Sequence, residues 1–214
     1  KLRIGYYREG LERAGMDPEI VAHLQGHIDR LKADGHTVEP VEVPLLDHQV
    51  PAYYILATAE ASSNLARFDG IHFGHRSDKA KGVDETYRLS RTEGFGPEVK
   101  RRILLGTFVL SAGYYDAYYA KAQRVRRIIR DAALKTFERF DIVFGPTCPT
   151  TAFAHGAIND PVAMYLQDIF TVQANLTGMP AISLPTGKHS NGLPFGVQLM
   201  AKPFDEARLF AAAK

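Results

Sequence analysis

Two charged residues set among apolar neighbours, one cysteine and eight histidines are the groups in this 214-residue sequence that can do chemistry. Arg102 shares a helical stripe with Leu105, Gly106 and Val109. A guanidinium there is costly to desolvate without an anion, and its rigid fork of donors suits a carboxylate. Arg101 shares a stripe with Leu104, Leu105 and Phe108, so periodicity leaves both arginines open, and by residue type each reads as a surface or ion-pair side chain. Asp168 follows the same logic with the sign reversed. On a helix starting near Pro161 it has Met164, Tyr165 and Val172 one turn away and needs a cation or donors if buried; by residue type it reads as a helix-surface aspartate.

The remaining groups give weaker signals. His23 and His27 lie four apart on one helix face, but no third ligand follows at a recognised spacing and the His-Glu-x-x-His pattern is absent. The pair reads as solvent-facing, and no metal site is expected. Cys148, in a Pro/Thr-rich loop without a sequence-local base, reads as a small residue fitted between Pro146 and Pro149 rather than a nucleophile. Tyr53-Tyr54, Tyr114-Tyr115 and Tyr118-Tyr119 read as core residues with polar tips. Of the basic residues Lys121, Arg124, Arg126, Arg127 and Arg130, positions 124, 127 and 130 make a solvated stripe, with Val125, Ile128, Ile129 and Leu134 turned inward. No glycine-rich phosphate cradle occurs.

Composition narrows the class. A hydrophobic content of 45% supplies a core, and 26 basic against 24 acidic residues give a formal charge of +2, too balanced to drive binding of a long nucleic acid. The single cysteine excludes an internal disulfide framework and suits a reducing compartment. No apolar run reaches the length of a membrane span and the amino terminus does not resemble a signal peptide, so a soluble protein without membrane contact is expected. The chain opens at Lys1 in a strand-like stretch and stops at Lys214 within a helical pattern; both ends read as cut.

These groups must be positioned by an alternation of strands and helices. Leu2, Ile4 and Tyr6 alternate as in a strand; Asp17-Pro18 opens a helix carrying Ile20, Leu24, Ile28 and Leu31; Gly35 ends it; and Val38, Val41 and Val43 form a second strand. This is a βαβ unit with parallel strands. Helical signals follow over 52–67, 83–91, 97–110 and 114–140. A buried strand at 141–145 feeds the Pro/Thr-rich loop, and a helix capped by Asp160 runs from Pro161 to Gly178. Strands at 181–185 and 195–200 flank Asn191-Gly192 as an antiparallel pair. The fold class is α/β, a mixed β-sheet flanked by helices, with residues 1–214 as one incomplete unit.

Three runs near the end, Gly145-Pro146-Thr147-Cys148-Pro149-Thr150, Asn175-Leu176-Thr177-Gly178-Met179-Pro180 and Gly192-Leu193-Pro194-Phe195-Gly196, resemble the closing part of the amidase-signature family. Glu60-Ala61-Ser62-Ser63-Asn64, Thr92-Glu93-Gly94-Phe95-Gly96 and Gly113-Tyr114-Tyr115-Asp116-Ala117-Tyr118-Tyr119 are similar to the glutaminase subunits of tRNA-dependent amidotransferases, a branch of that family. The resemblance covers essentially the whole chain and identifies it as the carboxyl-terminal part of such a protein. It implies a serine nucleophile that takes the acyl group of glutamine and releases ammonia, which the amidotransferase's B subunit uses to convert Glu-tRNA(Gln) to Gln-tRNA(Gln). The B and C subunits as partners, ATP and Mg at the partner, no cofactor in this chain, and a cytoplasmic setting, bacterial or organellar, come with it. For glutamine itself it implies Arg102 at the α-carboxylate, Asp168 at the α-ammonium and Tyr53 as a neighbouring contact. The Gly-Gly-Ser-Ser-Gly-Gly-type segment of the family is absent from these residues, so no catalytic residue is assigned and the chain alone is expected to be inactive. Another amidase-signature hydrolase and a non-catalytic assembly domain are the alternatives.

Overall fold

The structure, a computed structural model, describes residues 1–214. Its elements run β1 (Arg3–Tyr7), α1 (Glu9–Glu12), α2 (Pro18–Ala33), β2 (Thr37–Val41), α3 (Leu46–Asn64), α4 (Val83–Gly94), α5 (Pro97–Val109), α6 (Lys121–Arg139), β3 (Ile142–Pro146), α7 (Pro161–Tyr165), α8 (Val172–Thr177), β4 (Ala181–Lys188), β5 (Pro194–Met200) and α9 (Glu206–Ala212). They divide into two compact units, Lys1–Val50 with Arg126–Lys214, and Pro51–Val125.

The first unit is built on a five-stranded mixed sheet in the order β2-β1-β3-β5-β4. β1 pairs parallel with β2 and with β3, and β5 runs antiparallel to β3 and β4. The βαβ reading therefore holds. Asp17 caps α2, its Oδ1 accepting from the Glu19 and Ile20 amides at 2.9 and 3.4 Å, and Pro18 occupies the first turn, where no amide hydrogen is needed. Ile20, Leu24 and Ile28 bury one stripe of α2 against Ile4, Val38, Phe144 and Val197. Each such burial contributes about 1.5–3 kcal/mol. Ala133 of α6 packs with Met179 and Met200, and Ile142 packs with Ala201 and Leu209 of α9.

Four expectations need correction. The helix expected from Pro161 to Gly178 is broken into α7, a single 3-10 turn at Leu166–Asp168, and α8. The break lets Ile169 and Phe170 reach full burial, and the Phe170 carbonyl, released from helical bonding, accepts from Nε2 of buried Gln198 on β5 at 2.9 Å. A tertiary hydrogen bond has replaced a local one. On α6 the inward stripe is Ala122, Ile129 and Ala133; Ile128 is one position out of phase and lies 56% exposed. Tyr114, Tyr115 and Tyr118 are 44%, 45% and 42% exposed and so are not core, whereas Tyr54 is buried. They lie in or beside a stretch of π-helical hydrogen bonding at Tyr115–Ala120, and the Tyr114 and Tyr118 rings pack on Phe108 at 4.3 and 5.9 Å between centroids. Finally, α3 starts at Leu46, earlier than the composition after Pro51 suggested, because Leu46 and Val50 are both buried there.

No helix is long and apolar enough to cross a membrane.

Candidate functional site

In the second unit, α3 and α5 come into close contact at glycine. A Cβ on Gly106 would stand 2.0 Å from the Thr58 carbonyl oxygen, so only glycine permits this helix approach. One turn earlier on both helices the same register sets Arg102 against Tyr54. The Arg102 guanidinium donates from Nη2 to the Tyr54 hydroxyl at 3.3 Å and lies over the Tyr54 ring, 5.2 Å from its centroid. Its Nε donates to Glu98 Oε1 at 2.9 Å. Arg101 also reaches Glu98 but from a more exposed position. The structure thus separates the two arginines that periodicity left equivalent. Glu98, first by its hydrogen bond, raises the Arg102 pKa further above its ordinary value, against partial desolvation. The side chain is a permanent cation whose remaining N–H groups can receive a carboxylate.

Tyr53 stacks edge-on against Tyr54, with ring centroids 5.3 Å apart, and adds to the electrostatic environment of Arg102 without being its hydroxyl partner. The sequence held a signal for the correct register, a glycine inside a helix four residues after an arginine.

Asp168 belongs to the first unit. It closes the 3-10 turn, exposed, and its backbone carbonyl accepts from both the amide and the hydroxyl of Thr171 at 3.0 Å. The apolar stripe expected around it is dissolved by the break in the helix. The preceding residue, Gln167, lines a cavity of about 400 Å³ with Thr147, Cys148, Thr150, Ser183 and Phe195. Within its wall Thr147 and Ser183 share a hydroxyl hydrogen bond of 2.8 Å, and Thr150 donates to Gln167 Oε1 at 3.0 Å. The Cys148 thiol is exposed to this space. Its pKa is raised, first by desolvation in the cavity wall and then by the Asp168 carboxylate, which holds it in the neutral, poorly nucleophilic form. Cys148 therefore lines the cavity wall.

The loop carrying Cys148 is tied to the rest of the unit through a cluster that sequence reading missed. The Asp17 amide donates to the Pro149 carbonyl at 3.0 Å, while Asp17 Oδ2 receives His189 Nε2 at 3.2 Å. His189 Nδ1 accepts from the Asn191 amide, and Ser190 donates from both amide and hydroxyl to Glu19. The Ser190 bonds are the main reason the Glu19 carboxyl is held below its ordinary range. The β4–β5 turn and the Cys148 loop are thus both fastened to the first turn of α2. Residues 172 positions apart in sequence make this contact, and no local pattern announces it.

No group of three or more His, Cys, Asp or Glu side chains is arranged to hold a metal ion. His23 and His27 are half-buried rather than solvent-facing, with their Nε2 atoms 3.0 Å apart.

The profile of the Amidase family matches residues 1–210. The chain is 50% identical over 213 residues to the A subunit of glutamyl-tRNA(Gln) amidotransferase from Pseudomonas fluorescens (strain Pf0-1), covering 99% of this chain and 44% of that protein. It is 51% identical over 213 residues to the protein of the same name in Macrococcus caseolyticus (strain JCSC5402), with the same coverage. Among solved structures it is similar to the A subunit of glutamyl-tRNA(Gln) amidotransferase from Thermotoga maritima, with a TM-score of 0.73, 38% identity, and coverage of 99% of this chain and 41% of that one. A crystal structure of an amidase shares the fold at a TM-score of 0.74 and 21% identity, covering 99% of this chain and 44% of its own. The chain spans less than half the length of these relatives.

Proposed function

The chain belongs to the amidase family, and from that premise we propose that it is part of a glutaminase subunit, one that hydrolyses the glutamine side-chain amide so that ammonia reaches a tRNA-dependent amidation. The observation that carries this reading is one identical residue in two over 213 positions to proteins bearing that subunit's name. In the whole enzyme a serine oxygen attacks the amide carbon, ammonia leaves, and water then cleaves the acyl ester to give glutamate. The B subunit, supported by the C subunit and supplied with ATP and Mg, uses the ammonia on Glu-tRNA(Gln). A cytoplasmic setting goes with this reading.

The residues of this chain serve recognition rather than bond cleavage. Arg102 takes the α-carboxylate of glutamine; its guanidinium, steadied by Glu98 and Tyr54, is a permanently charged donor for that group. Asp168 takes the α-ammonium, and Tyr53 flanks the arginine through its contact with Tyr54. The two charged groups of the substrate are what separate glutamine from a simple amide.

The 214-residue chain, containing no Gly-Gly-Ser-Ser-Gly-Gly-type segment, releases no ammonia from glutamine by itself; steady ammonia production in a coupled assay overturns that statement. Recognition is tested separately by equilibrium dialysis with glutamine and with 4-aminobutanamide, which lacks the α-carboxylate. Glutamine is expected to be retained better, with the preference lost in Arg102→Gln. Equal retention of the two compounds by the native chain removes the role given to Arg102.

A further inference from the structure

Outside the residues assigned to amide chemistry, the imidazoles of His23 and His27 are held together on α2 with a geometry that fits an ion. They stand one helical turn apart, their Nε2 atoms are 3.0 Å from each other, and their rings meet edge to face with centroids 4.6 Å apart. Two imidazole nitrogens about 2.0–2.1 Å from one ion lie about 2.9 Å apart in neighbouring positions of a square or octahedral ion, and about 3.4 Å apart in a tetrahedral one. The observed separation, that of a hydrogen bond shared by the two ring nitrogens, also matches the first arrangement. We propose that His23 and His27 form a two-point chelate for a late first-row divalent cation, nickel(II) or copper(II), with water completing the coordination.

The surroundings suit that role. Phe195 of β5 packs edge-on against the His23 ring, 4.9 Å between centroids, and limits its rotation. Gly26 lies on the same helical stripe, and no atom lies within 4 Å of the point where a Cβ would stand, which leaves room for metal-bound water beside the pair. Partial burial, first, lowers the pKa of both histidines. Arg30 lies one turn further along and is the charge that opposes a bound cation. With no carboxylate or thiolate completing a third corner, the site is an exchangeable one and unlike a closed structural zinc centre.

Calorimetric titration of nickel(II) chloride into the native chain tests this. Nickel is preferred to copper because the exposed Cys148 thiol reduces copper(II). The expected result is one nickel per chain, reversed by a chelator, with affinity falling more than about tenfold in both His23→Gln and His27→Gln. His155→Gln, in an exposed loop, should leave it unchanged. Native affinity in either variant of the pair overturns the proposal. Independently of any variant, paramagnetic nickel should broaden the ring-proton resonances of His23 and His27 in the native chain before those of the other histidines. Uniform broadening, or none, overturns it as well.

Discussion

Replacing Gly106 by alanine should destabilise the unit that holds Arg102, although alanine is the better helix former. In the interior of a helix this substitution contributes about 1 kcal/mol of stability through backbone entropy alone. Against this stands the Thr58 carbonyl oxygen, 2.0 Å from the new methyl carbon, with the Ser62 Cβ at 2.7 Å. Real contacts of this kind do not fall below 3.0 Å, so the helices must separate locally by roughly 1 Å. The obstacle is backbone, which cannot rotate away, so the strain falls at or above the upper end of the usual overpacking cost of about 1–3 kcal/mol. The net effect is a loss of about 2 kcal/mol, or about 4–8 °C in Tm. Arg102 and Tyr54 sit one turn from this contact, so their hydrogen bond should lengthen with it. Gly26→Ala is the matched control. It lies in the interior of α2 with nothing within 4 Å of the added carbon, and it should raise Tm by about 2–4 °C. Thermal unfolding of both variants, followed by circular dichroism, decides the matter. A Gly106→Ala chain as stable as the native one would refute the claim that this glycine sets the register of the arginine.

Three other outcomes are expected. Asp17→Ala removes both the cap of α2 and the carboxylate that receives His189, and should cost about 1–2 kcal/mol, read as a lower urea midpoint at unchanged slope. His27 is held below its ordinary pKa of 6.5 by burial first and by the charges of His23 and Arg30 next, so the unfolded chain binds more protons as the pH drops below that value. Stability is therefore lost as pH falls from about 6.5 through the folded pKa, and His27→Gln should show a shallower loss over that interval in paired urea titrations; an equal slope counts against the assignment. Asp168→Asn removes a charge that raises the Cys148 pKa, so alkylation of this single thiol by iodoacetamide at pH 8 should become faster, whereas an unchanged rate would show that the carboxylate does not act on it.

The local elements were legible because their causes are local. The cap of α2, its buried stripe of Ile20, Leu24 and Ile28, and the left-handed Gly35 and Gly178 at helix ends, with φ of +83° and +71°, all follow from spacing and residue type. So did the parallel βαβ unit and the antiparallel β4–β5 pair, whose connection turns on Gly192 at φ +87°. The family was legible too, in runs of consecutive residues that no periodicity argument could supply.

Residue types and spacings were therefore enough for the strands, most of the helices, the α/β class and the short list of charged residues worth weighing. Which of those residues meet is a matter of packing. Arg101 and Arg102 each share a stripe with apolar residues, so spacing alone does not choose between them, and the close pass of α5 over Thr58 sets Arg102 against Tyr54. The Phe170 carbonyl is helical by propensity until Gln198, 28 residues later, offers it a buried donor and the helix breaks before α8. His189 finds Asp17 across 172 residues for the same reason. A contact between distant segments depends on the packed volume between them, and that volume is a property of the whole fold rather than of any stretch of the chain.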